Sequence, residues 1–230
     1  MNNNNKRKKE RFMEFSIQEQ FFMLETALSY AEMGYKVFPI ERNGKKPMTK
    51  NGFKDATTDE DQIKAWWTDD PVANIGIPTG TNEGEIGIVI DIDGSDNEWL
   101  TNSDLQDILD KGIGVKTPNG GRHYYFRQPE GRHWRNSTSK LAPNVDTRGI
   151  GGYVLAPHSK IDGVEYTLIY KDDQLFDLVT PDNFLVDKLD NIYSSKKEST
   201  DNTLSELRTI PEGCRNSTLT QHAGGFRRFG

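Results

Sequence analysis

The stretch GIVIDIDG, residues 87–94, constrains the fold most. Its apolar run predicts a central β-strand, yet the strand ends on two carboxylates, Asp91 and Asp93, one residue apart. Residues i and i+2 of a strand point to the same face. At about 3.3 Å of rise per residue, their Cα atoms lie about 6.6 Å apart. Like charges so placed repel unless something positive lies between or beside them: solvent, an arginine or a metal ion. An aspartate before a glycine is an ordinary turn signal, which accounts for Asp93 ahead of Gly94. It accounts less well for Asp91, which follows a run of apolar and glycine residues. Carboxylate pairs suit Mg2+ or Mn2+.

The elements around this strand follow from pattern and punctuation. Phe21, Leu24, Leu28 and Ala31 recur at helical spacing over 17–33. Ser16 is the expected N-cap, Glu19 completes a capping box, and Gly34 is the left-handed stop. YKVFPIE (35–41) predicts a short strand, with Pro39 assigning it to an edge or a strand end. Thr58 is the expected cap of a helix on DEDQIKAWW. ANIGIPTG (73–80) predicts a strand, and NEWLTNSDLQDILDKG (97–112) a helix. GVKTPNGGRHYYFRQ (114–128) carries a hairpin signal around Pro-Asn-Gly-Gly. NVDTRGIGGYVLAPHS (144–159) and VEYTLIY (164–170) predict two more strands, and PDNFLVDKLDNIY (181–193) a closing helix. Strands and helices mix without strict alternation, the pattern of an α+β layer arrangement.

The chain has 230 residues and a formal charge of -6, from 35 acids and 29 bases. That length accommodates one large domain with appendages. A single cysteine, Cys214, rules out a disulfide framework and points to a reducing, cytoplasmic setting. No apolar run approaches membrane-spanning length, so no membrane partner is expected. Residues 1–14 read as a disordered basic tail, 15–190 as the main domain and 191–203, with SSKKESTDN at their centre, as a linker. Residues 204–230 read as the beginning of something new.

Two more features belong with the Asp-x-Asp strand. In TPNGGRHYYF the glycines permit a tight turn and a close backbone approach to a ligand. His123 follows them on a strand, either as a structural histidine or beside exposed N–H groups that reach a phosphate. In NVDTRG, Asp146 and Arg148 are either a surface ion pair of little worth or a third carboxylate with a cation for substrate charge. The window from Lys116 to Gly149 holds seven basic residues, Arg132 and Arg135 among them, against Glu130 and Asp146. Lys45 and Lys46 add to this charge. With His133 and Trp134 interleaved, the window has the footprint of a surface for single-stranded nucleic acid or nucleotide.

In order along the chain, IVIDID, GRH and VD resemble the three motifs of the archaeo-eukaryotic primase superfamily. The fit is closest to its bifunctional primase–polymerase branch, found in phage, plasmid and mobile-element replication proteins. ALSYAEMGYKVFPI, KKP, DATTDEDQIKAWW, ANIGIPTG, GGYVLAPHS and EY follow that family's features in sequence, over roughly 17–187. The resemblance implies a mixed or antiparallel central sheet flanked by helices, with an RRM-like core and a short C-terminal helical segment. It implies that Asp91, Asp93 and Asp146 hold two Mg2+ or Mn2+ ions for template-dependent nucleotidyl transfer. His123, Arg122, Gly121 and Arg148 would bind the nucleotide phosphates, and Lys45, Lys46, Arg132 and Arg135 the DNA. Many relatives carry Ser where this chain has Gly121, so a hydroxyl contact would be lost, with Ser159 as a substitute. The implied partners are a single-stranded DNA template, a primer, ribo- or deoxyribonucleoside triphosphates and a fused or associated helicase. Two other readings are a non-catalytic single-stranded DNA-binding module and a metal-dependent nuclease.

Overall fold

The structure is a computed structural model that describes residues 17–169 and 177–194. The expected basic tail, the Ser16 cap, the linker beyond residue 194 and the 204–230 segment lie outside the described residues. Of the described residues, those up to Lys188 form one compact unit, and those from Leu189 belong to another.

The chain opens on helix α1 (Ile17–Glu32), which Gly34 ends at φ 91° as expected. Strand β1 (Phe38–Ile40) and a short 3-10 turn (Gly52–Asp55) lead to α2 (Glu60–Asp69). The cap of α2 is Asp59 and not Thr58, because the Asp59 carboxylate accepts the N–H of Gln62 at 2.8 Å. Trp67 of α2 is buried and donates its indole N–H to the Ala73 carbonyl, so the ring fills the core with its polar handle satisfied.

Strands β2 (Asn74–Thr79), β3 (Ile88–Ile92), β4 (Ile113–Lys116) and β5 (Arg122–Phe126) match expectation in place. The expected single helix over 97–112 is two helices, α3 (Glu98–Thr101) and α4 (Ser103–Leu109). Asn102 divides them, its side chain accepting the N–H groups of Asp104 and Leu105 as the N-cap of α4. Strand β6 (Ser137–Ala142) has no counterpart in the sequence reading. The expected strand over 144–159 is two strands, β7 (Val145–Arg148) and β8 (Gly152–Leu155), which sit in different sheets. The two-residue strands β9 (Lys160–Ile161), β10 (Val164–Glu165) and β11 (Thr167–Leu168) follow, then helix α5 over 183–194. The first residues of the expected linker are therefore helical.

A six-stranded sheet runs β11-β4-β5-β3-β7-β6, antiparallel throughout, with β3 near its centre. A second sheet runs β1-β2-β8. β1 is its edge, as Pro39 requires. Pro78 is tolerated in the middle strand because β1 pairs only as far as Gly76. The main core joins α1, α2, the small sheet and one face of the large one through residues such as Tyr30, Phe38, Ile75, Val89 and Tyr125. On the other face Ile88, Ile90, Ile92, Tyr124 and Phe126 are equally buried. β3 is thus covered on both sides, and that explains its continuous apolar run.

Candidate active site

Strand β3 places Asp91 directly opposite His123 of β5 on one side and Asp146 of β7 on the other. Directly opposed residues share a face of the sheet, so the three side chains form one row across three strands. Arg148, two residues beyond Asp146, is on that face by alternation. Within the row, His123 Nε2 lies 3.2 Å from Asp91 Oδ1. Arg148 Nη2 donates to Asp91 Oδ2 at 3.1 Å and to Asp146 Oδ2 at 3.1 Å, and its Nε lies 3.3 Å from Asp91 Oδ2. The remaining oxygen of Asp146, Oδ1, accepts the N–H of Ser139 at 2.9 Å. Ser139 has φ 48° in a bulged stretch of β6, the strand missing from the sequence reading. The bulge turns an N–H inward to hold the carboxylate.

Of the neutralising partners open to the Asp-x-Asp strand, the structure shows an arginine and a histidine. Burial alone would raise the Asp91 carboxyl. The hydrogen bond and charge of His123, then the Arg148 guanidinium, outweigh burial and hold it well below the usual carboxylate range. Asp93 moves the other way. Partial burial, then the charges of Asp91 and Asp146, push its carboxyl up. Asp93 is exposed at the end of β3, its N–H bonded to the Asn144 carbonyl. His123 is itself buried, and among the described residues its Nδ1 has no partner.

The row opens into a cavity of about 240 Å³ lined by Asp91, His123, Arg148 and residues of the small sheet. Sequence reasoning passed over Asn136, Tyr153 and Tyr166, which also line it. Asn136 fixes the turn after β7 by accepting the Gly149 N–H at 3.0 Å. The Tyr166 ring centroid is 5.7 Å from that of His123. Burial, then the Asp91 and Asp93 charges, push its phenol up to about 12, so it stays a donor at neutral pH. Its signal in the sequence was the EY pair, noted only as part of an ordered pattern.

The other expected site residues divide. Lys45 lines the cavity, where its carbonyl accepts the Tyr153 hydroxyl at 2.9 Å. Lys46 is exposed and lies 3.8 Å from Glu41. Gly121 abuts β3, and a Cβ there would stand 2.2 Å from the Ile92 carbonyl oxygen. The residue is glycine for want of space, which accounts for the absent hydroxyl. Ser159 does not supply a substitute. It is fully buried, and its Oγ is spent on the backbone N–H and carbonyl of Ile75. Arg122 alternates to the opposite face from His123, where it donates to the Tyr124 hydroxyl. Arg132 lies over the Trp134 ring and lines a separate cavity of about 680 Å³ with Arg127 and Gln128. Trp134 is buried, so it offers no surface for a base to stack on. Arg135 pairs with Ile150 in an isolated bridge and is not brought to the cavity.

Among the described residues, no three His, Cys, Asp or Glu side chains stand ready-made as a metal cage. The donor chemistry nonetheless fits a hard divalent cation: two carboxylates converge on one point, and a third, Asp93, feels their charge. What occupies the converging point is the guanidinium of Arg148.

None of the helices in the described residues is long and apolar enough to cross a membrane. A comparison with curated proteins finds no match. The profile of the bifunctional DNA primase/polymerase N-terminal domain matches residues 27–181, which takes in every strand described and the whole Asp91–His123–Asp146 row. The chain therefore belongs to the bifunctional primase/polymerase family.

Proposed function

We propose that this domain carries out template-dependent nucleotidyl transfer, adding nucleotides to a DNA primer or to a first nucleotide during replication. The observation that carries the reading is the register of β5, β3 and β7, which aligns Asp91 with both His123 and Asp146. A structural ion pair needs one partner on a neighbouring strand; this row gathers two acids, an imidazole and a guanidinium beside a cavity of nucleotide-fragment size.

In this reading Asp91, Asp93 and Asp146 hold two Mg2+ or Mn2+ ions. Bound there, the ions supply Lewis acidity at the attacking hydroxyl and at the triphosphate. His123 lines the cavity, where its ring binds a phosphate oxygen; its Nδ1 is buried and has no partner among the described residues. Its other nitrogen is fixed by Asp91, so the ring is oriented before the substrate arrives. Arg148 and Lys45 supply positive charge along the cavity, and Tyr166 a phenol donor. Residues 15–190 serve as the catalytic domain. The setting is cytoplasmic, with single-stranded DNA, a primer, nucleoside triphosphates and a replicative helicase as partners.

His123→Ala is expected to weaken nucleotide binding by about tenfold, the worth of one lost charge-assisted hydrogen bond. Titration with a fluorescent nucleoside triphosphate in excess Mn2+ measures it, and unchanged affinity would remove His123 from the site. The reading as a whole is tested by incubating the chain with a single-stranded template, with and without primer. Ribo- and deoxyribonucleotides are each supplied in Mg2+ and in Mn2+. Lengthening of labelled DNA supports the proposal, shortening assigns a nuclease, and binding without either leaves a non-catalytic module.

A further inference from the structure

Every carboxylate oxygen of Asp91 and Asp146 is engaged within the protein. Asp91 Oδ1 faces His123, and Asp146 Oδ1 holds the Ser139 N–H. The two Oδ2 atoms share Nη2 of Arg148 at 3.1 Å each. A divalent cation bridging these carboxylates would sit against a guanidinium at hydrogen-bond range. Two cations that close repel strongly where the surroundings are partly dry, and the Asp91 side chain is only 14% exposed. Arginine and metal therefore exclude one another at this point.

Arg148 has somewhere to go. Its side chain is 35% exposed and lines the cavity with Lys45 and Tyr153. Phosphate oxygens are the best available exchange for two carboxylates, because the planar guanidinium engages them through paired N–H donors.

Resting on the nucleotidyl-transfer reading, we propose that Arg148 is a positioning residue that couples metal and nucleotide binding. In the free protein it clamps Asp91 to Asp146. A divalent cation taking those carboxylates releases it, and the triphosphate receives it. Metal alone binds poorly, since it must expel the arginine into solvent. Metal and nucleotide together bind well, and by linkage each improves the affinity of the other equally.

The test is Arg148→Gln, with Arg148→Lys beside it. Mn2+ is titrated without nucleotide, following loss of the free-ion electron paramagnetic resonance signal. Deoxyadenosine triphosphate is then titrated in excess Mn2+, without template or primer. Arg148→Gln is expected to bind Mn2+ alone about tenfold more tightly than the wild-type chain, a typical coupling factor. It is expected to bind the triphosphate about tenfold more weakly. Arg148→Lys keeps the charge but cannot span both carboxylates, and falls between the two on Mn2+ affinity. A fold defect would weaken both ligands, and a plain phosphate contact would weaken the nucleotide alone. Unchanged or weaker Mn2+ binding by Arg148→Gln overturns the coupling. A wild-type chain that binds no triphosphate and incorporates none overturns the nucleotidyl-transfer reading instead.

Discussion

Asp91→Asn is expected to lower nucleotide incorporation by at least about a thousandfold, since the carboxylate proposed to hold catalytic cations would control several kcal/mol of transition-state charge. The fold should survive. Asparagine keeps the shape of the side chain and an oxygen for His123. Arg148, 35% exposed, keeps Asp146 as its partner. The loss in rate therefore exceeds anything the loss in stability explains, and primer extension set beside thermal melting separates the two. A pH series adds a second check. The Asp91 carboxyl is depressed in the folded protein by His123 and Arg148 against the opposing effect of burial. A depressed carboxyl contributes stability that is fully present above its unfolded value of about 3.9 and drains away as pH falls toward the folded one. The wild-type chain should thus lose stability below about pH 4 by a step that Asp91→Asn lacks. Wild-type extension by a well-folded Asp91→Asn protein would dismiss the metal assignment. Parallel acid melting curves would dismiss the electrostatic account.

What the sequence made legible was whatever rests on local pattern. The β3 run ends on Asp91 and Asp93 because a strand covered on both faces has no other place for charge than its end. The hairpin of β4 and β5 announced itself through its glycine turn, and Pro39 marked an edge. β6 was illegible: STSKLA is polar and largely exposed, with no alternation to reveal a strand whose task is to aim one N–H at Asp146. The expected strand over 144–159 hid a change of sheet, since Gly149 to Gly151 read as strand interior, not as the crossover between β7 and β8. The charge count from Lys116 to Gly149 was sound, but it summed side chains that the pleat sends to different places. Arg122 goes to the far face, Arg132 to another cavity and Arg148 to the acids. Arg148 shows the limit most clearly. Asp146 is two residues away, and a local ion pair was foreseeable. Its bond to Asp91 spans 57 positions, and only the pairing of β3 with β7 brings it about.

Gly121→Ser is expected to be among the most destabilising single changes in the domain, even though the resemblance makes serine the common residue at this point of the motif. Gly121 has no positive φ, so the demand is for space and not for an unusual backbone. A Cβ at that position would meet the Ile92 carbonyl oxygen at 2.2 Å, with the Ile92 carbonyl carbon and Asp93 Cα both at 3.3 Å. All three are backbone atoms at the end of the central strand and cannot rotate aside as a side-chain end would. Relief requires β5 to back away from β3, at a cost of about 3 kcal/mol for overpacking of this kind. In a domain of this size that is about 10 °C of melting temperature. The strain also falls at the candidate site. Ile92 pairs with Arg122, and the next pair along is Asp91 with His123, whose 3.2 Å contact would open first. Gly121→Ala should therefore match Gly121→Ser in both melting temperature and lost nucleotide affinity, because the Cβ does the damage and the hydroxyl is incidental. Gly131→Ala is the comparison. It stands in open space at φ 77°, so it measures the conformational penalty alone, about 1–2 kcal/mol. A serine variant that melts with the wild type and binds nucleotide more tightly would return the hydroxyl to the site. It would also mean that β3 and β5 part more easily at the Asp91–His123 pair than their packing implies.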